Sequence, residues 1–242
     1  MSVRTILFAL LLVFASSSAL LAQTPTAVVP AAKPPAAPPA PAAQPPMALP
    51  QPSTNLTGAP AGLYVADKGH ASIIFRINHL GFSLYPGRFE DFDAKINLDP
   101  AAPEKSTVDV TVDINSVDTH NAKLDEELRS ADWFNAAKFP TAKFHSTNFI
   151  KTGPDKGMLQ GEFTMMGVTH PISLDVVFHG YGQHPMTKAA HLGFGATGTI
   201  KRSEWGFSKG VPMVGDEVQL IIEAEFDHAG APAAPPPAPA GK

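Results

Sequence analysis

The sequence predicts an all-β domain of about eight antiparallel strands. Apolar and polar residues alternate over many short segments, and this period of two is typical of strands with one buried and one solvated face. Turn-forming residues separate several of these segments, for example at Asp99-Pro100 and Gly153-Pro154. The sequence shows no strand–helix–strand pattern of the kind that a parallel sheet requires.

Three segments show the alternation most clearly. They are residues 106–114, 171–179 and 216–226, and each sets a face of apolar side chains opposite a face of polar ones. Weaker alternation predicts further strands over 71–80, 88–98, 142–150, 157–166 and 190–202. The clearest helix signal is residues 121–130, where Asn121 can cap the first turn and acidic side chains follow it. One or two short helices are therefore expected beside the strands.

Such strands can form a two-layer sandwich or close into a barrel. Several residues on the predicted inner face are small. They are Ala94, Ala142, Gly161, Ala196 and Gly198. A barrel lined partly by small side chains leaves interior space for an elongated ligand, so the barrel is favoured, with a packed sandwich as the alternative.

The two ends of the chain differ in composition from its middle. Residues 1–22 have a basic start, an apolar run and small residues near Ala22, which predicts a cleavable signal peptide. Residues 23–62 and 229–242 are rich in proline and alanine and are expected to be a disordered linker and tail. The domain is therefore expected over 63–228. After cleavage the protein is expected to be exported, soluble and without an integral membrane span.

Composition narrows the function classes. The chain contains no cysteine, which excludes thiol catalysis and cysteine-ligated metals. All 22 acidic residues lie within 63–228, whereas three of the 18 basic residues lie outside it. An acidic domain without a basic cluster argues against nucleic acid as a partner.

Residues 193–198 read GFGATG, the written form of a dinucleotide-binding fingerprint. The fingerprint has meaning only between a strand and a helix. Here Leu192, Phe194, Ala196, Gly198 and Ile200 continue one alternating pattern. We therefore expect a strand at this position and no dinucleotide site.

Three longer segments resemble a known family. They are FRINHLGFSLYPGRFEDFDAKINLD (75–99), SVDTHNAKLDEELRSADWFNAAKFPTAKFHST (116–147) and GEFTMMGVTHPISLDVVFHGYG (161–182). In order and spacing they closely resemble the YceI-like family of exported lipid-binding proteins, from about Tyr64 to Phe226. The resemblance implies an up-and-down, lipocalin-like barrel around an elongated apolar tunnel. It implies a polyisoprenoid ligand of the isoprenoid quinone or polyprenyl phosphate type, a periplasmic location, and no catalytic cofactor.

The inward positions of the strands are the predicted ligand contacts. They are Ile73, Phe75, Ile77, His79, Val108, Val110, Val112, Leu159, Gly161, Phe163, Met165, Ile172, Leu174, Val176, Phe178, Phe194, Ala196 and Arg202. His79 is expected to face inward, where it contacts either a ligand head group or the backbone near Gly81. Arg202 is expected either to close one barrel end by packing on Trp205 or to contact a phosphate.

The remaining polar residues do not form a recognisable catalytic motif. His179, His184 and His191 surround a glycine- and proline-containing loop; they are read as solvated loop residues, and no metal site is predicted. The chain is thus expected to be a lipid carrier and not an enzyme. The alternatives are an enzyme acting on isoprenoid lipids and a scaffold whose proline-rich ends bind a partner. A homodimer is left open.

Overall fold

The structure, a computed structural model that describes residues 51–230, contains ten strands. Each of the eight alternating segments contributes to a strand; the segment 88–98 is divided between two strands, and the short strand at 117–118 lies outside all of them. The strands are β1 (Gly62–His79), β2 (Ser83–Phe89), β3 (Phe92–Leu98), β4 (Thr107–Asp113), β5 (Val117–Asp118), β6 (Thr141–Lys151), β7 (Lys156–Met165), β8 (Val168–Gln183), β9 (Ala190–Lys201) and β10 (Val214–His228). One α-helix, α1 (Ala122–Arg129), and four 3-10 turns complete the described part, at Leu56–Gly58, Pro103–Lys105, Ile114–Ser116 and Arg202–Trp205. The predicted signal peptide, the linker up to residue 50 and the tail from residue 231 lie outside the described residues.

Eight of the strands close into an antiparallel barrel. Around the ring they follow the order β1, β3, β4, β6, β7, β8, β9 and β10, and β10 pairs with β1 to complete the circle. Most neighbours in the ring are also neighbours along the chain, which is the up-and-down arrangement. The predicted all-β barrel is confirmed, and its closure excludes the sandwich. None of the helices between residues 51 and 230 has the length and apolar character needed to span a membrane.

Strand β1 makes three different pairings. On one side its first residues, 62–65, pair with β3, and residues 73–79 pair with β2. On the other side it pairs with β10, where Ala66 lies opposite Phe226 and Ala71 lies opposite Ala224. The four residues 67–70 therefore have only one residue of β10, Glu225, between those two pairs. They form a large bulge, which bends the strand locally.

The core lies inside the barrel because each strand turns its apolar face inward. In β3 the buried residues Phe92, Ala94, Ile96 and Leu98 alternate strictly with exposed polar ones. Removing one large apolar side chain from water contributes about 1.5–3 kcal/mol. The repeated alternation around the ring therefore fixes which face of each strand is buried, and with it the strand register.

Helix α1 and the residues after it cover one end of the barrel. The side chain of Asn121 accepts a hydrogen bond from the backbone N–H of Leu124, which confirms the predicted N-cap. After the helix, the buried ring of Phe134 packs against Phe89 and Phe207 at centroid distances of 6.0 and 4.8 Å. These aromatic contacts hold the insert against the barrel.

The GFGATG segment lies within β9, as expected. Each of its residues has a partner in the register with β10, and most also pair with β8. The strand ends at Lys201 and is followed by the 3-10 turn Arg202–Trp205, so no helix begins at the fingerprint. Its spacing is consequently unrelated to phosphate binding.

Residues 51–61, here called the strap, lie against the barrel although the composition predicts a linker through residue 62. Ser53 and Tyr181 exchange two backbone hydrogen bonds of 2.8 and 2.9 Å. Pro60 accepts a 2.8 Å hydrogen bond from the hydroxyl of Tyr64, and Ala59 is buried. Although few of its residues are apolar, the strap is held in place by backbone pairing, which a composition-based prediction does not register.

Candidate ligand-binding cavities

Two cavities follow one another inside the barrel. The first, the apolar cavity, has a volume of about 160 Å³. The second, the α1 cavity, has a volume of about 490 Å³ and lies beneath helix α1. On β1, Ile73 lines the apolar cavity, and the next inward residue, Phe75, lines the α1 cavity. On β10, Ile222 lines the apolar cavity and Leu220 lines the α1 cavity. The two cavities therefore lie end to end along the barrel.

The apolar cavity is enclosed almost entirely by hydrocarbon. It is lined by inward residues of β1, β3, β4 and β6 to β10, together with Leu56 of the strap. The lining includes Phe92, Ala94, Ile96, Leu98, Phe144, Phe149, Ala224 and Phe226. Ser106 is the one lining residue of this cavity with a polar side chain. Such a lining can hold an aliphatic chain but cannot pair with a charged group.

The α1 cavity combines an apolar wall with several polar groups. Phe75, Ile77 and Leu220 are among its apolar contacts. The polar lining residues are His79, Tyr85, Thr119, Asn121, Glu127 and Arg202. A mostly apolar cavity with a few polar groups is the usual form of a small-molecule site, and its volume falls within the usual range of about 300–1,000 Å³.

A thin layer of side chains separates the cavities. These side chains pack against the core clusters on both sides of the division. They are Val110, Phe163, Ile172 and Leu220. All four are only partly buried, and three of them line a cavity: Val110 lines the apolar cavity, and Phe163 and Leu220 line the α1 cavity. These four side chains, here called the wall, mark where the apolar cavity gives way to the α1 cavity along the predicted tunnel.

Most of the predicted contact residues line one of the cavities. In the apolar cavity these are Ile73, Val108, Val110, Leu159, Leu174, Val176, Phe194 and Ala196. In the α1 cavity they are Phe75, Ile77, His79, Phe163, Met165 and Arg202. Period-two alternation thus places these side chains correctly, because it fixes the face of a strand irrespective of tertiary detail.

Four predicted contacts line neither cavity, namely Val112, Gly161, Ile172 and Phe178. Val112 and Phe178 are buried in packed clusters. At Gly161 an added Cβ would collide with the ring of Phe144 and with the carbonyl oxygen of His145. The missing side chain of Gly161 therefore makes room for Phe144, and the expectation that it contributes empty space was wrong.

His79 lies at the rim of the α1 cavity. It is the last residue of β1 and is exposed, whereas alternation alone places it in the interior. Its ring lies 6.3 Å from that of Tyr85, and among residues 51–230 it makes no side-chain hydrogen bond. The expected alternative of a hydrogen bond to the nearby backbone is not observed, so its nitrogens are available at the cavity mouth.

Arg202 closes the barrel from within. Its guanidinium is buried and donates hydrogen bonds of 2.8 Å to the carbonyl oxygens of Phe207, Val214 and Gly215. Its guanidinium carbon lies 5.1 Å from the ring centroid of Phe207, which is its cation–π partner. The prediction that Trp205 is this partner was wrong. The indole of Trp205 instead donates to the carbonyl oxygen of Phe163.

Sequence reasoning missed the contribution of helix α1 to the site. Leu124, Glu127 and Leu128 all line the α1 cavity, together with Trp133. Glu127 accepts a 3.0 Å hydrogen bond from the indole nitrogen of Trp133. The pairing of Leu124 with Leu128 signals an apolar helix face, but it does not reveal which opening of the barrel that face covers.

The histidines around the β8–β9 loop lie on the outer surface. His179 pairs with Glu223 at 2.9 Å, and both ring nitrogens of His191 pair with carboxylates, Glu225 and Asp227, at 2.8 Å. Burial lowers the pKa of His191, but the two hydrogen bonds outweigh burial and hold the pKa above its ordinary value. The Nδ1 atom of His184 accepts hydrogen bonds from the backbone N–H groups of Met186 and Thr187 at 3.3 and 3.2 Å.

The fold and the interior define a class of protein, a closed antiparallel barrel with apolar internal cavities. The family model described as "YceI-like domain" matches residues 64–226. Protein YceI of Salmonella arizonae is 41% identical over 169 residues, covering 69% of this chain and 87% of that protein. The chain therefore belongs to the YceI-like family.

Two solved structures share this fold. The Campylobacter jejuni YCEI protein is 35% identical, with a TM-score of 0.57, over 63% of this chain and 90% of that one. A polyisoprenoid binding domain from Saccharophagus degradans is 14% identical, with a TM-score of 0.52, over 70% of this chain and 98% of that domain. At that identity the likeness concerns the fold alone.

Proposed function

We propose that this protein is a periplasmic carrier that holds one polyisoprenoid lipid, such as an isoprenoid quinone or a polyprenyl phosphate, inside its barrel. The observation that carries the proposal is the pair of cavities in line, one purely apolar and one apolar with a polar mouth. A lipid with a long hydrocarbon tail and a single polar head has the same division of character. The polyisoprenoid binding domain of Saccharophagus degradans, which has this fold, supports the choice of this ligand class.

The polar groups determine which way the lipid lies. Because the lining of the apolar cavity contains one polar side chain, Ser106, the tail occupies that cavity. The head group lies in the α1 cavity, where the ring of His79 is free to hydrogen-bond with it at the mouth. Each guanidinium nitrogen of Arg202 already donates to a carbonyl oxygen, which favours a structural role over direct contact with a phosphate.

The proposal favours binding over catalysis. Binding inside the barrel removes the isoprenoid from water, which contributes about 25 cal/mol for each Å² of apolar surface buried. The predicted signal peptide, which lies outside the described residues, supports an exported location. A carrier in that compartment moves or stores a lipid that is insoluble in water, and it needs no cofactor for this task.

The test begins with the exported, untagged protein. Native mass spectrometry and solvent extraction should reveal one isoprenoid lipid per chain. Trp133, which lines the α1 cavity, supplies a second readout, because a quinone head group beside it should quench its fluorescence. An empty protein whose fluorescence does not respond to added quinone or polyprenyl phosphate would exclude the proposed function.

A matched pair of variants locates the ligand. Ala196→Phe places a ring in the apolar cavity, whereas Thr197→Phe places the same ring on the outer face of β9. The first variant should lose most of the bound lipid while its denaturant midpoint stays near that of the wild type, because the ring occupies existing space. The second variant should keep its lipid. Equal lipid content in the two variants would mean that the ligand does not use this cavity.

A further inference from the structure

The β1 bulge brings three potential metal ligands together on the outer wall of the barrel. Asp67 and His70 stand at the two ends of the bulge, and Glu225 is the residue of β10 that lies between the flanking pairs. One ligand atom from each residue lies within 4.8 Å of the other two. The regular register on both sides would separate these side chains, so the bulge itself creates the cluster.

The bulge is held in this shape by its own hydrogen bonds. The Oδ1 atom of Asp67 accepts a 2.9 Å hydrogen bond from the backbone N–H of Gly69, and Oδ2 lies 2.8 Å from Nδ1 of His70. Lys68, within the same bulge, turns away and pairs with Asp91 and Asp93 at 2.8 and 2.9 Å. The cation nearest in sequence is thereby engaged elsewhere and does not neutralise the cluster.

A further set of contacts orients Glu225 from the other side. Its carboxylate lies 2.8 Å from Nε2 of His191, whose side chain is only 16% exposed. The other nitrogen of His191 pairs with Asp227 at 2.8 Å. Since both of its ring nitrogens are engaged by carboxylates, His191 supports Glu225 and does not offer a free lone pair. Such outer partners usually fix the direction of a metal-binding side chain.

We propose that Asp67, His70 and Glu225 form a binding site for one divalent transition-metal ion. Tetrahedral ligands at about 2.0–2.2 Å from zinc lie about 3.4 Å from one another, so the observed separations require only small side-chain movements. One imidazole with two carboxylates suits zinc, nickel or cobalt, whereas calcium takes six to eight oxygen ligands. The site is independent of the lipid cavities, because all three residues lie on the barrel exterior.

The test uses the untagged protein after its metal has been removed with EDTA. Calorimetric titration with Zn²⁺ should show one equivalent bound, and Co²⁺ should show the visible absorption of nitrogen and oxygen coordination, reversed by Zn²⁺. Asp67→Asn keeps an oxygen for the Gly69 N–H, and Glu225→Gln keeps the side-chain length. Each should weaken Zn²⁺ affinity by roughly tenfold or more, as should His70→Gln.

Glu223→Gln is the matched control. Glu223 lies two residues from Glu225 on the same face of β10 and pairs with His179, so this variant removes an equal charge without touching the proposed ligands. It should bind Zn²⁺ like the wild type. The proposal is overturned if the wild type shows neither Zn²⁺ heat nor Co²⁺ absorption, if the three ligand variants bind normally, or if the control loses as much affinity as they do. If a variant fails to fold, the Co²⁺ spectrum of the wild type still tests the proposal.

Discussion

Arg202 shows how one polar residue can stabilise the end of an apolar barrel. A buried charge is costly unless its hydrogen-bonding capacity is met, and here three carbonyl oxygens meet it. Asp216 interacts electrostatically with the guanidinium and accepts hydrogen bonds from the backbone N–H and hydroxyl of Ser203. Arg202 therefore joins the turn after β9 to the start of β10.

Replacing Arg202 tests this structural role. Arg202→Met keeps much of the volume but leaves three carbonyl oxygens without a donor, and each costs about 1–3 kcal/mol when it stays buried. We expect the free energy of unfolding to fall by about 3 kcal/mol or more, measured by urea denaturation. Lys201→Met, one residue earlier on the exposed face, should change it little. A stable Arg202→Met protein that has lost its lipid would instead assign Arg202 to the ligand.

The strap has a structural role that its composition does not predict. Leu56 lines the apolar cavity, and Ser53 extends the pairing of the β8 edge through Tyr181. The strap therefore closes the end of the barrel opposite α1.

Two deletions separate the strap from the rest of the predicted linker. Removing residues 23–60 takes away two backbone hydrogen bonds and the buried Ala59, which should lower the free energy of unfolding by about 2 kcal/mol. It should also speed release of the bound lipid, because Leu56 no longer covers the cavity. Removing residues 23–50 should change neither quantity. Identical unfolding midpoints and release rates for the two proteins would show that the strap has no such role.

The sequence predicts the strands of this fold better than the features that depend on neighbouring strands. Alternation in segments such as 171–179 depends only on strand geometry, so strands and inward faces follow from it directly. The bulge at 67–70 cannot be inferred in this way, because it depends on which strand lies beside β1. The same holds for Gly161, whose space is filled by Phe144 from a neighbouring strand, and for helix α1, whose position over one cavity is a tertiary property.

Over the whole molecule, the proposed function gives the wall between the two cavities a role in selecting the length of the ligand. Leu220 lines the α1 cavity, packs into the wall, and is followed on β10 by Ile222 of the apolar cavity. Under the proposed function, a long isoprenoid occupies both cavities and passes these side chains, whereas a short one occupies only one cavity. We therefore expect binding to be sensitive to chain length.

Leu220→Ala should join the cavities. The substitution removes a partly buried leucine and should cost about 2–3 kcal/mol of stability. It should raise affinity for a long-chain isoprenoid quinone relative to a short-chain one, measured by quenching of Trp133 fluorescence. Leu128→Ala removes the same volume from the α1 end of the cavity, away from the wall, so it should leave the ratio of the two affinities unchanged. If both variants shift that ratio equally, total volume and not the wall sets the preference.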